Sequence, residues 1–183
     1  MRQLQLICYF LMCYCVICEA VKPLNAAEIG KLATELEPLR PFLVSTWRGE
    51  LNDGKGNKSI DVAKWQRALN GTAIHIVHSV NNGEYGGETM LFWDKKRQSL
   101  IYYYFTTAGF YTQGTMVYDP TNQQLIAEEV VNGDASGITK VRSTSKVTAG
   151  KLTTQAEYLQ NGTWIKGHAA VYLEDAKATI QFK

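Results

Sequence analysis

All four cysteines of the 183-residue chain, Cys8, Cys13, Cys15 and Cys18, fall within its first eighteen residues. From residue 19 onward the sequence therefore offers no disulfide framework, no cysteine nucleophile, no thiolate-ligated zinc and no iron–sulfur cluster. Charge of one sign is also scarce. The formal net charge is +2 and the longest basic block is Lys95-Lys96-Arg97, so nucleic acid is not an expected partner. The chain holds no G-x-S-x-G elbow, no Gly-rich phosphate loop and no H-E-x-x-H pair. After Phe42 no helical periodicity recurs.

What is present begins with MRQLQLICYFLMCYCVICEA: one cation, Arg2, an apolar run from about Leu4, then Cys18 and Ala20 spaced as in a small-x-small cleavage site. Residues 1–20 read as a secretory signal peptide cleaved after Ala20, which gives a secreted or periplasmic localisation. The run is shorter than the roughly 20 residues of a membrane-spanning helix. A lipoprotein signal ending at Cys18 stays open, with the large Ile17 against it. Stable membrane insertion of the mature chain is not expected.

With 45% hydrophobic and 11% aromatic residues, the remainder is long enough for one domain with a sizeable core. Residues 21–41 form a lead-in with one short amphipathic helix: Ile29, Leu32 and Leu36 recur at α-helical spacing after an Asn25 cap, and Pro38 and Pro41 end it. Residues 42–183 read as β-strands separated by turn signals, near 43–52, 58–69, 72–80, 87–94, 99–107, 110–119, 124–132, 137–148, 151–160 and 163–173. Ten strands at hairpin spacing form an antiparallel meander, and closure into a barrel removes its edges. The stretches FWDKKRQSL and VYDPTNQQL repeat one hairpin chemistry, with Asp94 and Asp119 opening the turns.

Asn-Gly turns fix register, and register fixes faces. The Asn70-Gly71 turn opposes Leu69 to Thr72, which groups Ala63, Trp65 and Arg67 with Ile74, Ile76, His78 and Val80 inside, and puts His75 outside. The Asn161-Gly162 turn opposes Gln160 to Thr163. The same count groups Leu152, Thr154, Ala156 and Tyr158 with Ile165, Gly167, Ala169 and Val171 inside, leaving His168 outside. A turn at Ala108-Gly109 places Ile101, Tyr103 and Phe105 inside opposite Gly114, with Tyr102 and Tyr104 outside beside Leu91 and Trp93. Large rings facing glycine and alanine predict an incompletely filled, aromatic lumen.

The segment STWRGEL at 45–51 resembles the opening G-T-W-x-G signature of the calycin superfamily, with Ser45 in the glycine position. Together with VYDP, Arg142 and NGTW at 161–164, the chain over about 38–175 is similar to lipocalin-like secreted bacterial proteins. The resemblance implies a calycin-like barrel plugged at one end by Trp47, and it brings no catalytic residues.

The expected function is a secreted barrel enclosing a small apolar or amphipathic ligand lined by Trp65, Tyr103, Phe105 and Tyr158, with Arg67 or His78 orienting a polar end. No catalytic or metal-binding residue is assigned, and no cofactor is required. Haem is one alternative, with His78 as its axial ligand because the register count sets His168 outside. Another is an enzyme whose inward tyrosines act with a carboxylate, Glu88 beside Tyr103, in proton transfer; a tyrosine titrating below its usual value of about 10 would mark it. A binding patch of Tyr102, Tyr104 and Trp93 on the outer face is a further reading. Asn57, Asn70 and Asn161 stand in N-x-S/T sequons, so the source decides whether they carry glycans.

Overall fold

The computed structural model describes residues 28–52, 56–131 and 136–183; the leader and the Asn25 cap lie outside them. Ten strands follow one another: β1 (Thr46–Asn52), β2 (Lys58–Ala68), β3 (Ala73–Val80), β4 (Tyr85–Asp94), β5 (Ser99–Thr106), β6 (Tyr111–Asp119), β7 (Gln124–Val130), β8 (Ile138–Thr148), β9 (Lys151–Gln160) and β10 (Thr163–Glu174). Each pairs antiparallel with the next, and β1 pairs with β10, so the sheet is a closed barrel. The all-β, ten-strand architecture is the one the turn signals predict. Asp94 and Asp119 do open their hairpins: Asp94 Oδ1 accepts from the Lys96 and Arg97 amides, and Asp119 Oδ1 from those of Thr121 and Asn122. No helix among the described residues is long and apolar enough to cross a membrane.

The helical segment differs from expectation in place and kind. It is a 3₁₀ run, Thr34–Leu43, that contains Pro38 and Pro41 instead of ending before them. Two missing amide donors disfavour an α-helix. A three-residue period suits what must be buried, because side chains three apart eclipse on one face, and Leu36, Leu39 and Phe42 are all buried. This face closes one end of the barrel against Trp47, Trp65, Ile74 and Leu91. Trp47 is fully buried and donates Nε1–H to the Phe42 carbonyl at 2.8 Å, and Phe42 stacks on Trp65 with ring centroids 4.8 Å apart. Glu37 and Arg40 lock the outer side through a 2.8 Å ion pair.

Two of the three hairpin counts need correction. Between β5 and β6, Thr106 is bonded to Phe110 around the turn Thr107-Ala108-Gly109, with Gly109 at φ +81°. That three-residue loop pairs Tyr102 with Gly114 and Tyr104 with Thr112, one residue out of the expected register, and a one-residue slip turns every side chain to the other face. Tyr102 and Tyr104 are therefore inside with Leu91, whereas Phe105 is 54% exposed. In β10 the register shifts between Lys166 and Ala169. This bulge holds one extra residue, so Ala170 and Tyr172 are buried in place of the expected Ala169 and Val171. The β2–β3 count holds throughout: Trp65 opposes Ile76 and Ala63 opposes His78.

The C-terminal segment after β10 crosses the outside of the barrel. The Gln181 amide donates to Ser79 Oγ at 3.3 Å, and Phe182 lies on Gly86, where a Cβ would come within 3.0 Å of its ring. Beneath the segment Ser79 is buried on the outer face of β3.

Candidate functional site

Inside the barrel lies a cavity of about 560 Å³, running from the plugged end toward Val80, Tyr85 and Val141. It is lined by side chains from all ten strands, as inward alternation in a closed barrel requires. Of the sequence-derived site residues, Trp65, His78 and Tyr158 line it. Arg67 does not: at the plugged end it leaves the lumen and donates Nε–H to the Lys31 carbonyl at 2.8 Å. Tyr103 and Phe105 face away from it, and their places on the wall belong to Tyr102 and Tyr104. Glu88 is likewise outside, paired with His75 at 2.9 Å.

The hydrogen-bonded polar groups of the lumen form four sets, one of them the Ser145–Thr154 hydroxyl pair at 2.8 Å. In the largest, the buried Asp61 accepts from the Tyr172 hydroxyl on Oδ2 at 2.7 Å and contacts His78 Nδ1 through Oδ1 at 3.1 Å. His78 Nε2 is 2.8 Å from the Tyr104 hydroxyl, which lies 3.0 Å from that of Tyr85. A buried carboxylate is tolerated where donors satisfy it, and the two here come from β3 and β10. The second set is Tyr102, donating to Glu129 Oε2 at 3.2 Å. The third joins the Tyr158 hydroxyl to His168 Nδ1 at 2.7 Å.

Burial is the main influence on three of the phenols and on His168. It pushes the hydroxyls of Tyr102, Tyr104 and Tyr172 well above the ordinary phenol range, reinforced by Glu129 at Tyr102, by Tyr85 at Tyr104 and by Asp61 at Tyr172. The shift is opposite to the one that would mark a tyrosine base. These phenols hold their protons and donate hydrogen bonds. Burial lowers His168, against the opposing pull of Glu129 and Asp61, so its imidazole is held neutral. In the tautomer that carries its proton on Nδ1 and donates it to Tyr158 Oη, Nε2 holds a lone pair.

Counting missed most of these groups: the bulge hid Tyr172 as well as His168, and no hairpin count reached Tyr85 or Glu129. Tyr102, Tyr104 and His168 were on the wrong side of a turn and of a bulge. Asp61 was legible: extending the β2 alternation two residues beyond Ala63 reaches it, and an aspartate at an inward strand position is itself a signal.

Close approaches shape the wall. A Cβ on Gly114 would lie 2.7 Å from Tyr102 Cε1, and one on Gly167 would lie 2.6 Å from Tyr158 Cζ. Glycine at these two positions lets the rings lie flat along the sheet.

No protein-family model matches the chain. No curated protein matches it in sequence. Among solved structures it is similar to the crystal structure of Rv2717c from M. tuberculosis, at 13% identity and a TM-score of 0.61, over 79% of this chain and 99% of that one. At that identity the likeness is one of fold, and it fits a calycin-like barrel in outline.

Proposed function

We propose that this protein is an exported binding barrel of lipocalin-like type that encloses one small amphipathic molecule. The observation that carries the reading is the lumen: about 560 Å³ of space, walled by apolar and aromatic side chains, with a few hydrogen-bonded polar groups at fixed places, which is the make-up of a small-molecule site. The N-terminal leader motivates the exported location. The matching experiment is titration of the residue 21–183 chain with an environment-sensitive apolar dye. One dye should bind per chain and raise the melting temperature with concentration by mass action. Ala127→Phe, which fills the lumen from β7, should weaken dye binding at least tenfold while the chain stays folded. A wild type that binds no apolar probe would reduce the molecule to a structural barrel.

A second reading, haem, is favoured by the position of His168. The residue lies on the cavity wall, burial keeps it neutral, and Tyr158 fixes its ring through Nδ1, an arrangement in which a second group orients a ligating imidazole. His78, the sequence-based candidate, has both ring nitrogens engaged. His168 would supply the axial nitrogen and the aromatic wall would shield the porphyrin faces. Reconstitution with haemin should then give a Soret band that His168→Ala abolishes and His78→Ala retains; the reverse outcome, or no band, would reject this reading.

A further inference from the structure

The wall of the cavity carries two carboxylates, Asp61 and Glu129, and no lysine or arginine. The only other ionisable groups that could be cationic there are His78 and His168, and burial keeps His168 neutral. The basic residues of the strands face elsewhere: Arg142 lies outside, pairing with Glu128 and covering the Trp164 ring at 4.5 Å, and Lys58 pairs with Glu50. Six aromatic rings, Trp65, Tyr85, Tyr102, Tyr104, Tyr158 and Tyr172, share the wall with the two carboxylates. Such rings present negative faces that attract a cation, most strongly where water is excluded.

The two carboxylates differ in what they have left to give. Asp61 has both oxygens occupied, by Tyr172 and His78. Glu129 accepts from Tyr102 through Oε2, and no hydrogen bond to Oε1 is found within the described residues. An anionic ligand would meet Glu129 and find no lysine or arginine to receive it, because His78, the one basic side chain beside the carboxylates, already has both ring nitrogens engaged by Asp61 and Tyr104, and a neutral ligand would leave the field of the carboxylates unused. We propose that the enclosed molecule is an organic cation, a protonated amine on an apolar body, with its ammonium at Glu129 Oε1 and its body against the aromatic wall. This inference rests on the binding-barrel reading and adds the class of ligand.

The test keeps the apolar tail constant and varies the head: octylammonium, octanol and octanoate are titrated into the residue 21–183 chain at pH 7 by calorimetry. Octylammonium should bind tighter than octanol by about tenfold or more, as a charge-assisted hydrogen bond warrants, and octanoate should be the weakest. Glu129→Gln should remove most of the ammonium preference and leave octanol within about threefold; circular dichroism confirms that the variant is folded. If Glu129→Gln does not fold, added salt on the wild type is the second readout, since the preference for ammonium should shrink while octanol binding holds. Equal binding of the three heads, tighter octanoate, or a preference that survives Glu129→Gln would overturn the cation assignment and leave the binding barrel standing. Absence of binding by all three would count against the barrel reading itself.

Discussion

Tyr158 Oη and His168 Nδ1 meet at 2.7 Å across β9 and β10, although a strict two-residue period counted from the Asn161-Gly162 turn puts them on opposite faces. The contact exists because the strand takes one extra residue between Lys166 and Ala169. A bulge re-aims the side chains beyond it, and here it turns a histidine into the lumen.

Gly167→Ala tests how closely that contact is set. The added methyl would lie 2.6 Å from Tyr158 Cζ, so the ring must move and the bond to His168 must lengthen. We expect a loss of about 1–3 kcal/mol in unfolding free energy, the range for overpacking, and a changed imidazole signal for His168 in NMR spectra. An unchanged melting curve would show that the ring yields freely.

The face assignment of β5 predicts a sharp contrast between neighbours. Phe105→Ser, on the exposed side, should alter stability by no more than about 0.5 kcal/mol. Leu91→Ala, fully buried and paired with Tyr102, should cost about 2–5 kcal/mol. Equal effects in chemical denaturation would contradict the register.

Acid should destabilise the barrel through His168. Its folded-state value is depressed, so the unfolded chain binds the proton more readily. The contribution is fully present above the unfolded value near 6.5 and is lost as pH falls through the folded one. One such site gives a slope of at most about 1.4 kcal/mol per pH unit. Unfolding free energies measured from pH 8 to pH 5 should fall in the wild type and fall less in His168→Phe.

Tyr172→Phe removes the donor to Asp61 Oδ2 and leaves a buried carboxylate with one partner fewer. Hydrogen bonds to charged groups are worth about 1.5–3 kcal/mol, and the variant should lose stability in that range at neutral pH. An unfolding free energy unchanged in Tyr172→Phe would mean that the ring matters and its hydroxyl does not.

Much of this architecture is written in local chemistry. The strand boundaries follow from Gly, Asn and Asp turns, and the Asn70-Gly71 hairpin fixes Trp65 and His78 inward because its strands run without interruption to Asp61 and Val80. The errors share one physical origin. A side-chain period of two carries no memory beyond an irregularity, so the three-residue loop ending at Gly109 inverted the tyrosine run, and the bulge after Lys166 inverted the end of β10. Leu36, Leu39 and Phe42 show the plug's three-residue period plainly, but two prolines in a helical stretch read as its end when an α-helix is the only template considered.

The β1–β10 seam joins residues 47–52 to residues 169–174, and this governs when the molecule can exist as well as what shape it takes. During synthesis the strand that opens the sheet has its second partner made last. At roughly 5–20 residues per second, the interval between them is on the order of ten seconds. Throughout that time the growing sheet has two unpaired borders, each open to pairing with a strand from another chain. Closure also brings together segments far apart in sequence, the slowest kind of contact to form. The newborn chain is thus most vulnerable in the interval before its final dozen strand residues arrive, and export of an unfolded chain across a membrane would postpone that hazard to the compartment where the barrel closes.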